Sequence, residues 1–350
     1  MPVQESKPKR VTLKMIAERA GLSIAAVSQI LNDKPVDFCS EANKQRVRSI
    51  AREMGYRPNV GVKIMRGEKL KSVAVVLSMV QMELEDHIQR IILTLFKKYE
   101  ALDYSCYFCS GECNAAQNMG RIQKLLDYGV ERFIFLSRPF GVEQLDAEIR
   151  RCGRTAVYYE TVPLAGSGYW RVHSDTAATV CEMVRWLRRQ GHEKLAFFQL
   201  AVDPDDQRFI GLCRAFPEYD AATVQQKMLH LLPFDIRHSG DFFTESRLCG
   251  QRAAEKILAE QPEIEAIFLY SDAFAVGAAP VLLRHYLTTG RAIALAGFNY
   301  THAVQSSVYP ILSAAHPLEQ ITRALMDDFT GGETVITVQP ELRLPSPLPF

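Results

Sequence analysis

The stretch GLSIAAVSQILN at positions 21–32 carries the chain's most suggestive chemistry. Counting from Ser23, the apolar Val27, Ile30 and Leu31 fall at i, i+3 and i+4, the spacing of a buried helical stripe. Ile24, Ala25, Ser28, Gln29 and Asn32 are left on the other side. That second side is neither charged enough for an ordinary solvated surface nor apolar enough for a core. Its composition suits the edge of a nucleobase. A glutamine amide donates and accepts side by side and so matches adenine, while Ile24 and Ala25 offer apolar contact such as a thymine methyl accepts. Small side chains also permit close approach in a major groove about 12 Å wide.

The elements needed to position such a face are present on both sides of it. Thr12 can cap a helix whose inward residues are Leu13, Ile16, Ala17 and Ala20, and Gly21 ends it. Helix, glycine turn and Ser23-capped helix make a helix-turn-helix, with two apolar stripes packed across the turn. Ser40 then caps a third helix with Val47, Ile50, Ala51 and Met54 inward, closing at Gly55. The charge distribution agrees. Residues 1–70 hold 14 Lys and Arg against 7 Asp and Glu, and the remaining 280 hold 27 against 33, so a near-neutral total of +1 conceals a basic head on an acidic body. A basic head suits a polyanion.

The motifs VTLKMIAERAGLSIAAVSQILN, SEANKQRV and MGYRPN, in that order, resemble the DNA-binding head of the lactose-repressor/galactose-repressor (LacI/GalR) family of bacterial transcriptional regulators. The resemblance implies that Ile24, Ala25 and Gln29 face base edges. It implies that Thr12, Ser23, Asn32, Asn43 and Tyr56 position the backbone, with Leu13, Ala26, Ser28 and Asn59 completing the DNA-binding set. The pair Ile24 and Ala25 departs from the family's commonest polar pair, so the operator cannot be borrowed from a relative. The segment NDKPVDFCSE between the second and third helices is a residue or two longer than usual and brings in Phe38. Residues 58–71 stand where the family has a hinge helix, with Met65 in place of the leucine wedge and Arg66 beside it. Gly61 weakens that helix, and a basic linker using Lys63, Arg66, Lys69 and Lys71 for phosphate contacts is the alternative.

From Ser72 the rhythm changes to short runs rich in β-formers, at 73–78, 104–110, 132–137, 155–160, 194–200, 266–270 and 292–298, separated by helical segments. Alternation of this kind gives right-handed parallel units and two doubly wound lobes. The resemblance continues through HSDTAATVCEMVRWLRRQGH, RFIGLCRAF, YSDAFAVGA, LAGFN and PILSAAHP, and implies lobes of the periplasmic-binding-protein-like type around a small molecule. The fold class expected is α/β: a helix-turn-helix three-helix head (1–57), a hinge (58–71) and an effector-binding and dimerisation body (72–350). Lobe one is placed at about 72–168 plus 299–326 and lobe two at about 169–298 plus 327–350.

Ligands of parallel α/β sheets sit beyond the carboxyl ends of strands, which here carry Ser78, Ser137, Glu160, Ser271 and Asn299. Arg208 occupies the position of the family's effector-contacting arginine, against a surface pairing with Asp205 or Asp206. Asn299 replaces an aspartate, so an amide that donates and accepts stands where the family has a pure acceptor. Asp272 is either a helix cap or a ligand contact, and Asp175 likewise. Thr161, Thr179 and Pro280 are further departures, and Trp170 is either packing or a stacking platform.

Other chemistries are poorly supported. Cys106, Cys109 and Cys113, of eight cysteines, lie close together in CYFCSGEC, but no fourth ligand is suitably spaced and the run reads as a buried strand, so no metal or cofactor is expected. No G-x-S-x-G, P-loop or strand-following G-x-G-x-x-G appears, and His192 begins a strand, so an enzyme is disfavoured. No apolar run approaches membrane-spanning length, and MPVQESKPKR has no secretory character, which points to the cytoplasm. The function expected is a transcriptional regulator, with repression the favoured sign. It would bind near-palindromic double-stranded DNA as a homodimer and answer to a small-molecule effector such as a sugar or sugar derivative. A body controlled by a partner protein, or having no ligand, is the alternative. LEDHIQRIILTLFKKY and VLLRHYL could supply the dimer interface, and the proline-rich PSPLPF argues against a helical tetramerisation tail.

Overall fold

The computed structural model describes residues 11–32, 39–57, 70–78, 86–111, 114–160, 169–234, 242–328 and 335–345. Expectations placed on Phe38, Asn59, Gly61, Lys63, Met65, Arg66, Lys69, Cys113 and Thr161 lie outside these residues. Two compact units divide between Lys69 and Leu70.

The first unit holds helices α1 (Leu13–Ala20), α2 (Ile24–Leu31) and α3 (Glu41–Glu53). Each starts on the hydroxyl read from the sequence: Thr12, Ser23 and Ser40 accept from the amides of Met15, Ala26 and Asn43 at 3.4, 3.1 and 3.4 Å. The turn between α1 and α2 depends on Gly21, whose φ of +67° suits glycine and lets Leu22 N–H close back on the Ala17 carbonyl. Ile16, Val27, Ile30, Val47 and Ile50 form the shared core. Fully burying such a side chain contributes about 1.5–3 kcal/mol, which is how three short helices hold together.

In the second unit, strand β1 (Ser72–Ser78), helix α4 (Asp86–Ala101), β2 (Ser105–Gly111), α5 (Ala115–Asp127), β3 (Arg132–Phe135), α6 (Val142–Arg151), β4 (Thr155–Glu160) and β5 (Trp170–Ser174) open the first lobe. The second lobe runs through α7 (Thr176–Arg189), β6 (Leu195–Gln199), α8 (Gln207–Ala215), α9 (Ala221–Met228), β7 (Leu229–Leu231), α10 (Phe242–Glu260), β8 (Ala266–Phe268), α11 (Asp272–Thr289), β9 (Ala294–Ala296), α12 (His302–Gln305) and β10 (Ser313–Ala315). Helix α13 (Leu318–Leu325) and β11 (Val335–Val338) return to the first lobe, and β12 (Glu341–Arg343) pairs antiparallel with β10 in the second.

The first sheet has the order β11-β5-β4-β3-β1-β2, parallel throughout. Along β1, Val73, Val75 and Leu77 face α4 and α13, whereas Ala74 and Val76 face α5 and α6, so the period of two feeds two separate cores. The second sheet runs β7-β6-β8-β9, parallel, and is extended by a bridge from Ala296 to Leu312. Two doubly wound lobes are therefore present, as the alternation predicts.

The lobe boundaries differ from those expected. Residues 170–174 belong to the first sheet, because β5 lies between β4 and β11 in register with both. Residues 299–315 belong to the second lobe, where Leu312 and Ala314 are buried in its core, and 335–338 belong to the first. The chain thus crosses between lobes three times, at 174–176, 315–318 and 338–341. The crossings are tied: Asp175 N–H donates to the Val338 carbonyl at 2.8 Å, and the Thr179 hydroxyl donates to the Pro340 carbonyl at 3.1 Å. Thr179, a departure from the family pattern, is accounted for by that bond. Strand β2 is a half-buried edge rather than the buried strand expected, so Cys106 and Cys109 are only partly covered. Helix α11 continues through Pro280.

Candidate nucleic-acid interface and ligand cleft

In the head, α2 separates its two faces cleanly. Val27 and Ile30 are buried, while Ile24 is 48% exposed and Ala25 and Gln29 are exposed beside a half-buried Ser28. Nothing in the bundle accounts for an isoleucine so placed, and with Gln29 it leaves an outward surface of donor, acceptor and methyl groups. Thr12 and Ser23 are exposed caps at the starts of α1 and α2, and Asn43 is exposed in the first turn of α3. Four members of the expected DNA-binding set also make contacts within the bundle. Ala26 is 2% exposed and packs inside the bundle, because it follows the outward pair by the third of a turn that carries it to the core. Leu13 and Tyr56 are half-buried against the same core. Asn32 closes α2, its side-chain Nδ2 donating to the Ser28 carbonyl at 2.7 Å.

In the body, a cavity of about 300 Å³ opens where α4 of the first lobe faces the second, lined by Gln89, Arg247, Ser271, Asn299, Thr301 and His302 among others. Ser271 and Asn299 therefore line the same cavity. Ser78 and Glu160 end β1 and β4, though their side chains lie outside the described residues; Ser137 is half-buried beyond β3. Asp272 is fully buried: Oδ2 accepts from Thr301 N–H at 2.7 Å and Oδ1 from the Ser313 hydroxyl at 2.8 Å. Its two oxygens are engaged by the loop after β9 and by strand β10. It fastens the loop after β9 to the start of α11. Asp175 does cap, accepting from Ala178 N–H at 2.9 Å.

Arg208 is buried, with its guanidinium over the rings of Tyr270 (4.2 Å) and Phe298 (5.2 Å), an arrangement that stabilises the cation through the ring quadrupoles. Asp206 caps α8, its Oδ1 accepting from the backbone amides of Arg208 and Phe209 and from Gln199 Nε2. Phe298 packs edge-on against His316, which stacks on His87 with ring centroids 3.7 Å apart. His316 also meets Asn299 Oδ1 through Nε2 at 3.1 Å and the Tyr159 hydroxyl through Nδ1 at 3.3 Å. Burial, reinforced by the Arg208 charge, holds the His316 imidazole down to about 3, and burial likewise holds His87 well below the usual range. Both rings are neutral at ordinary pH. Trp170 packs in the first lobe's core, with Arg150 over its ring at 5.8 Å.

Sequence reasoning does not find His87, Tyr159, His316, Gln89, Arg247 or His302. A histidine at a crossing between lobes, in SAAHP, is the one visible signal.

The family model described as "Bacterial regulatory proteins, lacI family" matches residues 12–59, a span that takes in all three helices of the head. That match covers the head, and the likeness of the rest of the chain rests on whole-chain relatives. Likeness to named transcriptional regulators extends over the body. The transcriptional regulator RegA of Clostridium saccharobutylicum is 23% identical over 302 residues, 85% of each chain. The transcriptional repressor PurR of Pectobacterium carotovorum subsp. carotovorum (strain PC1) is 23% identical over 350 residues, 95% of each. The Lac repressor dimer bound to operator and the anti-inducer ONPF superimposes with a TM-score of 0.74 at 16% identity, covering 97% of this chain and 99% of that one, a likeness of fold. Among the described residues, no helix is long and apolar enough to cross a membrane and no group of side chains could hold a metal ion.

Proposed function

We propose that this chain is a lacI-family regulator that reads a near-palindromic operator through Ile24, Ala25 and Gln29 of α2, as a homodimer, under the control of a small molecule in the cleft of the second unit. The single observation that carries the reading is the split face of α2: an isoleucine and a glutamine turned outward on a helix whose other side is fully anchored. A core-anchored helix with an uncharged, outward polar and apolar face is what major-groove readout requires. One such helix reads too few base pairs, and a twofold protein matches a twofold operator. Exposed Leu93 on α4, Phe108 on edge strand β2 and Leu287 near the end of α11 offer apolar surface for that association.

The cleft favours a small molecule over a partner protein as the controlling agent. A cavity of about 300 Å³ between the lobes falls at the lower end of ligand-site sizes, and it combines apolar walls with a few convergent polar groups. A sugar or sugar derivative fits that chemistry. Control would be a population shift, in which the ligand's preference for one lobe arrangement changes the affinity for DNA, and DNA reciprocally changes the affinity for ligand. Selection of bound duplexes from random DNA, with and without a small-molecule extract, tests the reading. A twofold sequence motif whose recovery depends on the extract is expected; indiscriminate recovery at every salt concentration refutes it.

A further inference from the structure

Asn299 occupies a conformation that an asparagine adopts only when its surroundings hold it there. Its φ of +102° and that of Tyr300 (+47°) lie in the left-handed region. The neighbouring strand β10 supplies the restraint: Asn299 N–H donates to the Ala314 carbonyl at 3.1 Å, and Tyr300 N–H to the Ser313 hydroxyl at 3.0 Å. The side chain is 4% exposed and lines the cavity.

The amide turns its oxygen to His316. A neutral imidazole carries one proton, and an amide oxygen can only accept. The contact between Asn299 Oδ1 and His316 Nε2 at 3.1 Å therefore places the proton of His316 on Nε2. Nδ1 is left with a lone pair, so the Tyr159 hydroxyl, at 3.3 Å, donates to it. This relay, running from Tyr159 to His316 to Asn299, turns the amide oxygen toward His316 and leaves the NH2 group for whatever enters the cavity. The aspartate that the lactose-repressor resemblance leads one to expect here would present the opposite polarity.

The geometry points to an effector that sets an oxyanion, a carboxylate or a phosphate, on the Asn299 NH2. The inference rests on the reading of the second unit as a ligand-binding body and names the ligand class for it. The surroundings agree in sign. Arg247 lines the same cavity, and Ser271 stands there at the start of α11, an 18-residue helix, with no side-chain capping bond to occupy its hydroxyl. The adjacent carboxylate of Asp272 has Oδ2 engaged by Thr301 N–H and Oδ1 by the Ser313 hydroxyl. Hydrogen bonds from such donors to an ionised oxygen are about twice as strong as those to a neutral hydroxyl.

The test uses the full-length chain with inorganic phosphate, glucose 6-phosphate, gluconate and glucose as probes, read by melting temperature and equilibrium dialysis. Phosphate and the two anionic sugars are expected to raise the melting temperature by mass action, and glucose to do so less. Asn299→Asp, which tolerates the same backbone conformation, replaces the donor with a like charge and should weaken phosphate binding by at least about tenfold. The same change should raise the titration midpoint of His316, followed by imidazole NMR. Tyr159→Phe removes the donor that fixes the tautomer and should narrow the preference for anionic over neutral probes without loss of fold. The inference is overturned if glucose matches the anionic probes in the parent, if phosphate does not stabilise the parent, or if Asn299→Asp binds phosphate as the parent does. Operator binding by the parent, measured alongside, separates these outcomes from failure of the regulator reading itself.

Discussion

Replacing Gln29 by alanine isolates the reading face from everything that holds it in place. Gln29 is exposed, and its backbone carbonyl accepts from Asn32 N–H at 3.2 Å, a bond that survives the substitution. Alanine is at least as good a helix former as glutamine, so the change in stability should stay within about 0.5 kcal/mol. The effect on DNA is expected to be far larger. A bidentate amide-to-adenine pair discriminates against the wrong base by about 1–3 kcal/mol, and a twofold complex uses the contact twice. Across a full site the variant should therefore lose about 2–6 kcal/mol of discrimination, roughly 30-fold or more in relative affinity. The assay is fluorescence anisotropy at one fixed salt concentration, against the selected operator and a set of duplexes carrying each single-base change symmetrically in both half-sites. Loss of preference should be confined to one base pair of each half-site. Uniform weakening across the set would make Gln29 a backbone contact, and an unchanged preference at every position would show that α2 does not read bases through this residue.

Three further outcomes test the architecture. A Cβ on Gly277 would collide with the Arg247 carbonyl, and one on Gly250 with the Phe274 carbonyl, so α10 and α11 touch through backbone and cannot yield locally; Gly277→Ala should cost about 1–3 kcal/mol or more, seen as a lower denaturant midpoint at unchanged slope. Asp272→Ala leaves Thr301 N–H and the Ser313 hydroxyl without their acceptor, and should destabilise the second unit by about 3 kcal/mol or more while leaving the head's helical signal and melting intact in a domain-resolved scan. His316 and His87 have native midpoints held below the unfolded value, so the unfolded chain binds more protons as the pH drops. Their contribution to stability is whole above about pH 6.5 and is lost as the pH falls below it, for His316 towards about 3, by up to about 1.4 kcal/mol per unit for each ring. His87→Phe should make the melting temperature of the second unit less steep across that window, and an unaltered slope would show that the stack does not govern it.

The legible part of the sequence is local. Thr12, Ser23 and Ser40 cap the helices they are expected to cap, since a hydroxyl before an apolar-periodic run settles its own amide partner within three residues. The apolar runs at 73–78 and 132–137 mark strands because both faces of a parallel sheet are buried and the run shows it. The features that escape such reading are set over long range. Trp170–Ser174 pairs with Val335–Val338, more than 160 residues later, and no local pattern says which lobe a five-residue strand will join. Three-residue strands such as Leu229–Leu231 and Ser313–Ala315 are too short to show a period. In the cleft, Arg208 and Asn299 stand out because each ends up near the strand termini where parallel sheets bind ligands. Asp272 escapes assignment because its acceptor role is decided by Ser313, a hydroxyl 41 residues away. Ala26 joins the DNA contacts only by analogy, although its own helical phase puts it inside.

The position of His316 gives the cleft a direct mechanical link to the joint between the lobes. It lies in the crossing at 315–318, and the relay it makes joins Tyr159 of the first lobe to Asn299 of the second. Separating the lobes must break at least one of these two bonds. Each neutral hydrogen bond contributes only about 0.5–1.5 kcal/mol net, so the relay alone biases the joint weakly in either direction. Inverting an equilibrium from one part in a hundred to ninety-nine requires about 5.5 kcal/mol of differential binding. A ligand that touches only one lobe cannot supply that difference, however tightly it binds. A ligand that engages Asn299 and Ser271 of the second lobe together with Gln89 of the first adds its bonds in the closed arrangement alone. The cleft can therefore act as a switch only through a ligand long enough to span from α4 to the loop after β9, and the weak native relay is what leaves the decision to that ligand.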